Sequence, residues 1–126
     1  MARGVFVAFT KCADPAREEE FNRWYTHTHL PDLSATKGFV TARRFVSRSP
    51  EGEATYLALY EFESDDLSSC FEDLVNRARG AFPLGRHIDC LAVTQFPGVG
   101  HFEEIDPATL KPLEVLDYPG EPRATR

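Results

Sequence analysis

The chain has 126 residues, enough for one hydrophobic core and too few for two. Its hydrophobic share of 42% and charged share of 27% are those of an ordinary globular protein. A formal net charge of -6 argues against a nucleic-acid binder, which needs a basic face to neutralise phosphates.

Ten phenylalanines, four tyrosines and one tryptophan supply bulky apolar surface for that core. Arg43, Arg44 and Arg48 form a local basic cluster among alternating strand residues and read mostly as solvated charge. Cys12, Cys70 and Cys90 show no paired CxxC spacing, so a reducing compartment is expected and a disulfide framework is not. The first apolar run, Val5 to Phe9, is too brief for a signal-peptide core or a bilayer span. Cytoplasmic residence is the default expectation, with no membrane partner.

In chain order, Gly4 to Thr10 is rich in β-branched and aromatic residues and reads as a buried strand. Asp14-Pro15 signals a helix start, with Asp14 as N-cap and Pro15 in the first helical position. Glu18, Glu19 and Glu20 then suit the positive end of the helix dipole. Phe21, Trp24, Tyr25 and Thr28 recur at helical spacing. Pro31 lacks an amide proton, so the helix is expected to stop or kink between Thr28 and Leu30.

Gly38 opens a second strand, Phe39 to Arg48, and Ser49-Pro50-Glu51-Gly52 is a turn. A third strand, Ala54 to Glu63, places Tyr56, Ala58, Tyr60 and Phe62 on one face, and the two strands should form a hairpin. Ser64-Asp65-Asp66 caps a second helix whose stripe is Leu67, Cys70, Phe71, Leu74, Val75 and Ala78. Gly80 is its natural end. His87 to Phe96 is the expected fourth strand.

The order β-α-β-β-α-β defines an α+β, ferredoxin-like arrangement: a four-stranded antiparallel sheet with two helices on one face. The other face carries Val5, Val7, Leu57 and Leu59, too many apolar groups to leave wet, so a homodimer is expected. Residues 1–100 make this domain. Residues 101–126, with prolines at 107, 112, 119 and 122, read as an extended C-terminal arm.

The segment Glu20-Phe21-Asn22-x-Trp24-Tyr25-x-x-x-His29-Leu30-Pro31-Asp32-Leu33, followed by Lys37-Gly38-Phe39 and Ala42-Arg43-Arg44-Phe45, resembles the dimeric α+β barrel proteins, and among them the EthD-like and related groups. The likeness covers roughly residues 4–97, and 20–45 is its specific part. It implies two ferredoxin-like subunits joining their sheets into a barrel, each with a pocket between sheet and helices. Such proteins include polyketide cyclases, muconolactone isomerases, cofactor-free antibiotic monooxygenases and haem-degrading enzymes, so the reaction implied is broad. Many relatives carry Tyr-Asp-x-x-His where this chain has Tyr25-Thr26-His27-Thr28-His29, so no acidic residue stands beside the histidine and Asp32 is the nearest replacement.

Among residues able to do chemistry, His29 at the Pro31 bend is suited to general acid or base work. Asp32 either orients it or caps the following turn, and His29 could instead bond a backbone carbonyl freed by Pro31. A His27–His29 metal pair is disfavoured, because helical positions i and i+2 point roughly 200° apart. Trp24 and Tyr25 each have a polar tip needing a partner if buried, and both are expected to line the pocket, with Tyr25 able to orient a carbonyl or phenolate. Tyr60 and Phe62 face the helices, or the opposite set does if the register slips by one. Arg43 shares an alternating face with Phe39, Thr41 and Phe45; it either reaches the pocket to bind an anionic group or stays exposed. His87 is a second acid–base candidate, and Cys90 a small core residue.

No GxSxG, phosphate loop, dinucleotide fingerprint or Cys/His zinc pattern occurs, which disfavours triad hydrolysis, phosphoryl transfer and NAD chemistry. The expectation is a small-molecule enzyme without metal or nucleotide cofactor, acting on an aromatic, polyketide-like or lactone substrate as a cyclase, isomerase, dehydratase or cofactor-free monooxygenase. A non-catalytic small-molecule-binding dimer is the alternative, and haem binding through His29 or His87 a third.

Overall fold

The computed structural model describes residues 1–93, 99–105 and 107–108. Strand β1 (Ala2–Cys12) lies at the centre of an antiparallel sheet, paired on one side with β3 (Ala54–Ser64), which in turn pairs with β2 (Phe39–Arg48). On its other side β1 pairs with two short segments, β4 (Leu91–Val93) and β5 (Val99–Glu103). The sheet is thus four strands wide, in the expected ferredoxin-like order.

The β1–β3 register follows from alternation. Phe6, Ala8 and Thr10 of β1 and Tyr56, Ala58, Tyr60 and Phe62 of β3 are all buried on one face, because successive strand side chains point to opposite sides. That face is covered by α1 (Glu18–Trp24), its continuation α2 (Leu30–Leu33), and α3 (Leu67–Gly80). Asp14 caps a single 3-10 turn, Pro15–Arg17, accepting from the Ala16 amide at 3.1 Å, and Asp66 caps α3 through the Ser69 amide. The α3 stripe of Leu67, Cys70, Phe71, Leu74 and Val75 is buried against the sheet, with Ala78 partly buried beside it. Gly38, at φ 77°, opens β2 so close to α3 that a Cβ there would sit 2.6 Å from the Cys70 sulfur.

Three expectations are corrected. The first helix does not stop between Thr28 and Leu30. It widens into a π turn, Tyr25–His29, where the Leu30 amide donates to the Tyr25 carbonyl five residues back, and then runs on to Leu33. Pro31 has no amide proton to give to the preceding turn, and the wider turn accommodates that missing bond. The strand expected over His87 to Phe96 forms later and in two pieces. Thr10 pairs with Val93 and Ala8 with Val99, so two steps along β1 are matched by six along the returning chain. Residues 94–96 of that expected strand lie outside the described residues, while the sheet edge continues to Glu103. Of the arm expected beyond residue 100, most lies outside the described residues as well.

The third correction concerns β2. Phe39 pairs with Phe62, but Thr41 pairs with Glu61, so a bulge at Val40 resets the alternation. Downstream of it Ala42 and Arg44 face the helices, and Arg43 faces away. On that far face Val5, Val7, Leu57 and Leu59 are half-buried, while Phe45 and Phe102 are 47% and 51% exposed. Among the described residues no helix is long and apolar enough to cross a membrane.

Candidate functional site

A cavity of about 290 Å³ lies between the sheet and the helices, lined by Ala8 and Thr10 of β1, Tyr25 and His29 of the π turn, Tyr60 of β3, Leu74 and Val75 of α3, and His87, with Phe82 and Arg79 also in its wall. Its size is at the low end for ligand pockets, so it suits a small molecule. The π turn is what presents Tyr25 and His29 together: their rings meet edge to face, 4.9 Å between centroids.

His29 stacks on Trp24 with ring centroids 4.7 Å apart and planes inclined by 20°. This burial holds its pKa down to about 4, outweighing the nearby Asp32 charge, while His87 and Arg44 push weakly in the same downward direction. At neutral pH the ring is therefore an uncharged imidazole, and it takes up a proton readily only when a negative charge beside it stabilises the imidazolium. Among the described residues neither of its nitrogens has a hydrogen-bond partner, and Asp32 does not supply one.

Facing it, the hydroxyls of Tyr25 and Tyr60 lie 3.3 Å apart, each phenol nearly fully buried. Burial raises both pKa values, that of Tyr60 well above its ordinary value. Both phenols stay protonated, and a pair that shares one hydrogen bond retains one O–H to donate to a ligand. Thr10 is 3% exposed and its hydroxyl has no partner among the described residues. A buried hydroxyl left unpaired costs about 1–3 kcal/mol, and this oxygen is enclosed behind the cavity wall rather than open to it.

The remaining candidates are arranged around this centre. Asp32 makes a two-pronged ion pair with Arg86, at 2.6 and 2.8 Å, and that guanidinium holds its carboxyl below the usual range. The Arg86 carbonyl accepts the Trp24 indole N–H at 2.7 Å. Asp32 thus reaches His29 at one remove, by tying down the segment that holds Trp24 against it. His87 precedes β4 in coil, stacks on Phe82 at 3.8 Å, and has its pKa lowered by burial. Phe62 is buried against Phe39 and Phe71, away from this cavity. Arg43 pairs with Glu61 at 3.5 Å on the far face.

Of the β2 arginines it is Arg44, not Arg43, that reaches the face of the Tyr25 ring, while Arg79 stands in the cavity wall itself. Arg44 donates to Asn22 Oδ1 at 2.9 Å and Thr26 Oγ1 at 3.0 Å, with its guanidinium carbon 4.4 Å from the centre of the Tyr25 ring. The Val40 bulge leaves no local mark in the sequence, so strict alternation selects Arg43. Thr10 was legible: it continues the alternation of Phe6 and Ala8 on a core face, where a hydroxyl is out of place. His27 is exposed and apart from His29, and among the described residues no cluster of three or more histidine, cysteine or acidic groups is arranged to hold a metal.

No family model matches the chain. Over 69 residues it is 36% identical to core atranone cluster (CAC) protein 1 of Stachybotrys chlorohalonatus, a match covering 54% of this chain and 29% of that relative. The chain therefore spans under a third of the curated relative it matches. Of solved structures, a candidate antibiotic biosynthesis monooxygenase from Bordetella bronchiseptica superposes with a TM-score of 0.57 at 18% identity, covering 83% of this chain and 99% of that one. An ethyl tert-butyl ether d (EthD) family protein from Bacillus halodurans gives 0.45 at 18% identity, over 82% and 99% of the two chains. The chain has the ferredoxin-like α+β fold, which the Bordetella structure shares.

Proposed function

We propose that the protein is a small-molecule enzyme acting by His29-based acid–base catalysis, without metal or nucleotide cofactor, on an aromatic, polyketide-like or lactone substrate. One observation carries this reading: a neutral imidazole and a buried phenol pair converge on a mostly apolar cavity. His29 takes a proton from a C–H or O–H of the bound substrate. The negative charge then rests on a substrate oxygen, which accepts a hydrogen bond from the Tyr25–Tyr60 pair. Returning the proton at another atom completes an isomerisation, a cyclisation or a dehydration. With dioxygen as co-substrate, the same deprotonated species suits cofactor-free monooxygenation.

Tyr60 and His87 shape the pocket in this scheme; Trp24, expected to line it, instead backs the His29 ring from outside the cavity wall, and Asp32 positions Trp24 through Arg86. The similarity to a protein of an atranone cluster, and to a fold neighbour described as an antibiotic biosynthesis monooxygenase, supports a role in secondary metabolism. We also infer that two copies associate through the sheet face bearing Val5, Val7, Leu57 and Leu59.

A binding-only role has one observation in its favour: among the described residues, no hydrogen-bonded group orients the His29 ring. Incubation with a panel of aromatic, polyketide-like and lactone compounds, followed by mass spectrometry, separates the two. Loss of a compound that depends on His29 supports the enzyme; saturable binding with no conversion supports the alternative.

A further inference from the structure

Arg44 differs from the ion-paired arginines of the sheet and helices, and from Arg79, which is exposed at the end of α3 in the cavity wall. Arg3, Arg17, Arg43, Arg48 and Arg86 all sit in ion pairs with carboxylates, with side chains between 36% and 66% exposed. Arg44 is more buried, and among the described residues no carboxylate pairs with it. Glu18 of α1 is engaged by Arg48 and by the Tyr56 hydroxyl. Its partners are instead neutral: Asn22, Thr26 and three aromatic rings, with the guanidinium carbon 4.4 Å from the centre of Tyr25, 5.1 Å from Tyr56 and 5.9 Å from Phe21.

Burying a cation without an anion is costly, and cation–π contacts with three neutral hydrogen-bond acceptors on Asn22 and Thr26 offset that cost without cancelling the charge. The positive field therefore remains available to the neighbouring cavity. Between Arg44 and the cavity stands Tyr25, whose ring receives the cation on its face and whose hydroxyl meets Tyr60 in the cavity wall. A cation over a phenol ring makes the O–H a stronger donor, and in a low-dielectric setting it favours negative charge on whatever oxygen that O–H binds.

We propose that the cavity binds its ligand through an anionic oxygen, a phenolate or enolate, and that Arg44 is the positioning residue supplying the charge through the Tyr25–Tyr60 pair. The inference rests on the placement of the site under the proposed function, but not on turnover or on His29. A purely structural Arg44 would tie β2 to α1 through Asn22 and Thr26 and would be indifferent to the charge of the ligand.

The test uses the full chain with 4-nitrophenol, whose colour reports its ionisation, and with 4-nitroanisole, its non-ionisable ether, as the size-matched control. In the wild-type protein the bound phenol is expected to ionise at lower pH than in solution, and to bind more tightly than the ether. Arg44→Met should weaken 4-nitrophenol binding about tenfold and return its ionisation to the solution value, with little effect on the ether. Arg44→Lys should retain most of the selectivity, and Arg23→Met, on the exposed side of α1, should match the wild type. A bound phenol that stays neutral, an equal loss of both ligands in Arg44→Met, or failure of the phenol to bind overturns the proposal. If His29→Ala keeps the phenolate selectivity but no compound is ever turned over, the catalytic reading fails and the anion site stands.

Discussion

The phenolic oxygens of Tyr25 and Tyr60 lie 3.3 Å apart, joining the π turn of the first helix to the third strand at the wall of the cavity. Either residue alone would bring a buried hydroxyl into an apolar layer. Together they satisfy each other and keep one proton for a ligand.

Removing the two hydroxyls of the pair should therefore have non-additive effects on stability. Tyr25→Phe or Tyr60→Phe is expected to cost about 1–2 kcal/mol, because the surviving hydroxyl loses its partner. The double variant should cost less than the sum of the two, and a denaturant-unfolding double-mutant cycle measures the difference. Strict additivity would show that the two hydroxyls do not interact.

Thr10→Val deletes a buried hydroxyl that has no partner among the described residues and nearly preserves the shape of the side chain. Stability should be unchanged or should rise by up to about 1 kcal/mol, read from the urea midpoint. A loss of more than that would mean the hydroxyl is already engaged in the free protein.

The His29 titration gives a pH prediction with a definite sign. Its folded pKa of about 4 is below the ordinary 6.5, so between those values the unfolded chain binds a proton that the folded protein refuses. The neutral ring's contribution is fully present above pH 6.5 and is lost as pH falls toward 4. The loss is on the order of 2–3 kcal/mol. Subtracting the pH–stability curve of His29→Gln isolates it from carboxylates such as Asp32 and Asp73, whose depressed values act at lower pH. Histidine NMR that finds His29 titrating near 6.5 would contradict its burial against Trp24.

Light scattering on the eluting protein should give about twice the 14.2 kDa chain mass. The reason is the apolar outer face of the sheet, where Phe45 and Phe102 remain about half exposed in the single chain. A charge placed there, Leu59→Lys, should shift the protein toward monomer, and a wild-type monomer would refute the inferred assembly.

Much of the fold was legible because apolar alternation and helix caps are local signals. Strands β1 and β3, the Asp14 and Asp66 caps and the α3 stripe all follow from nearest neighbours in the sequence. The misplaced features depend on longer-range pairing. The bulge at Val40 arises only when β2 docks on β3, and it exchanges Arg43 for Arg44 at the site. The π turn needs the whole helix to choose widening over breaking at Pro31. His29, Tyr25 and Tyr60 were reachable because aromatic and imidazole side chains on core-facing positions are few. The Asp32–Arg86–Trp24 link was not, since it joins segments 54 residues apart through a backbone carbonyl.

The most direct measurement is the rate at which wild-type and His29→Ala proteins consume whichever compound the substrate panel identifies. Consumption by the wild type, falling by about 10²–10⁴ in His29→Ala while binding of the compound survives, is the expected result. Equal rates in the two proteins would contradict a proton-transfer role for His29.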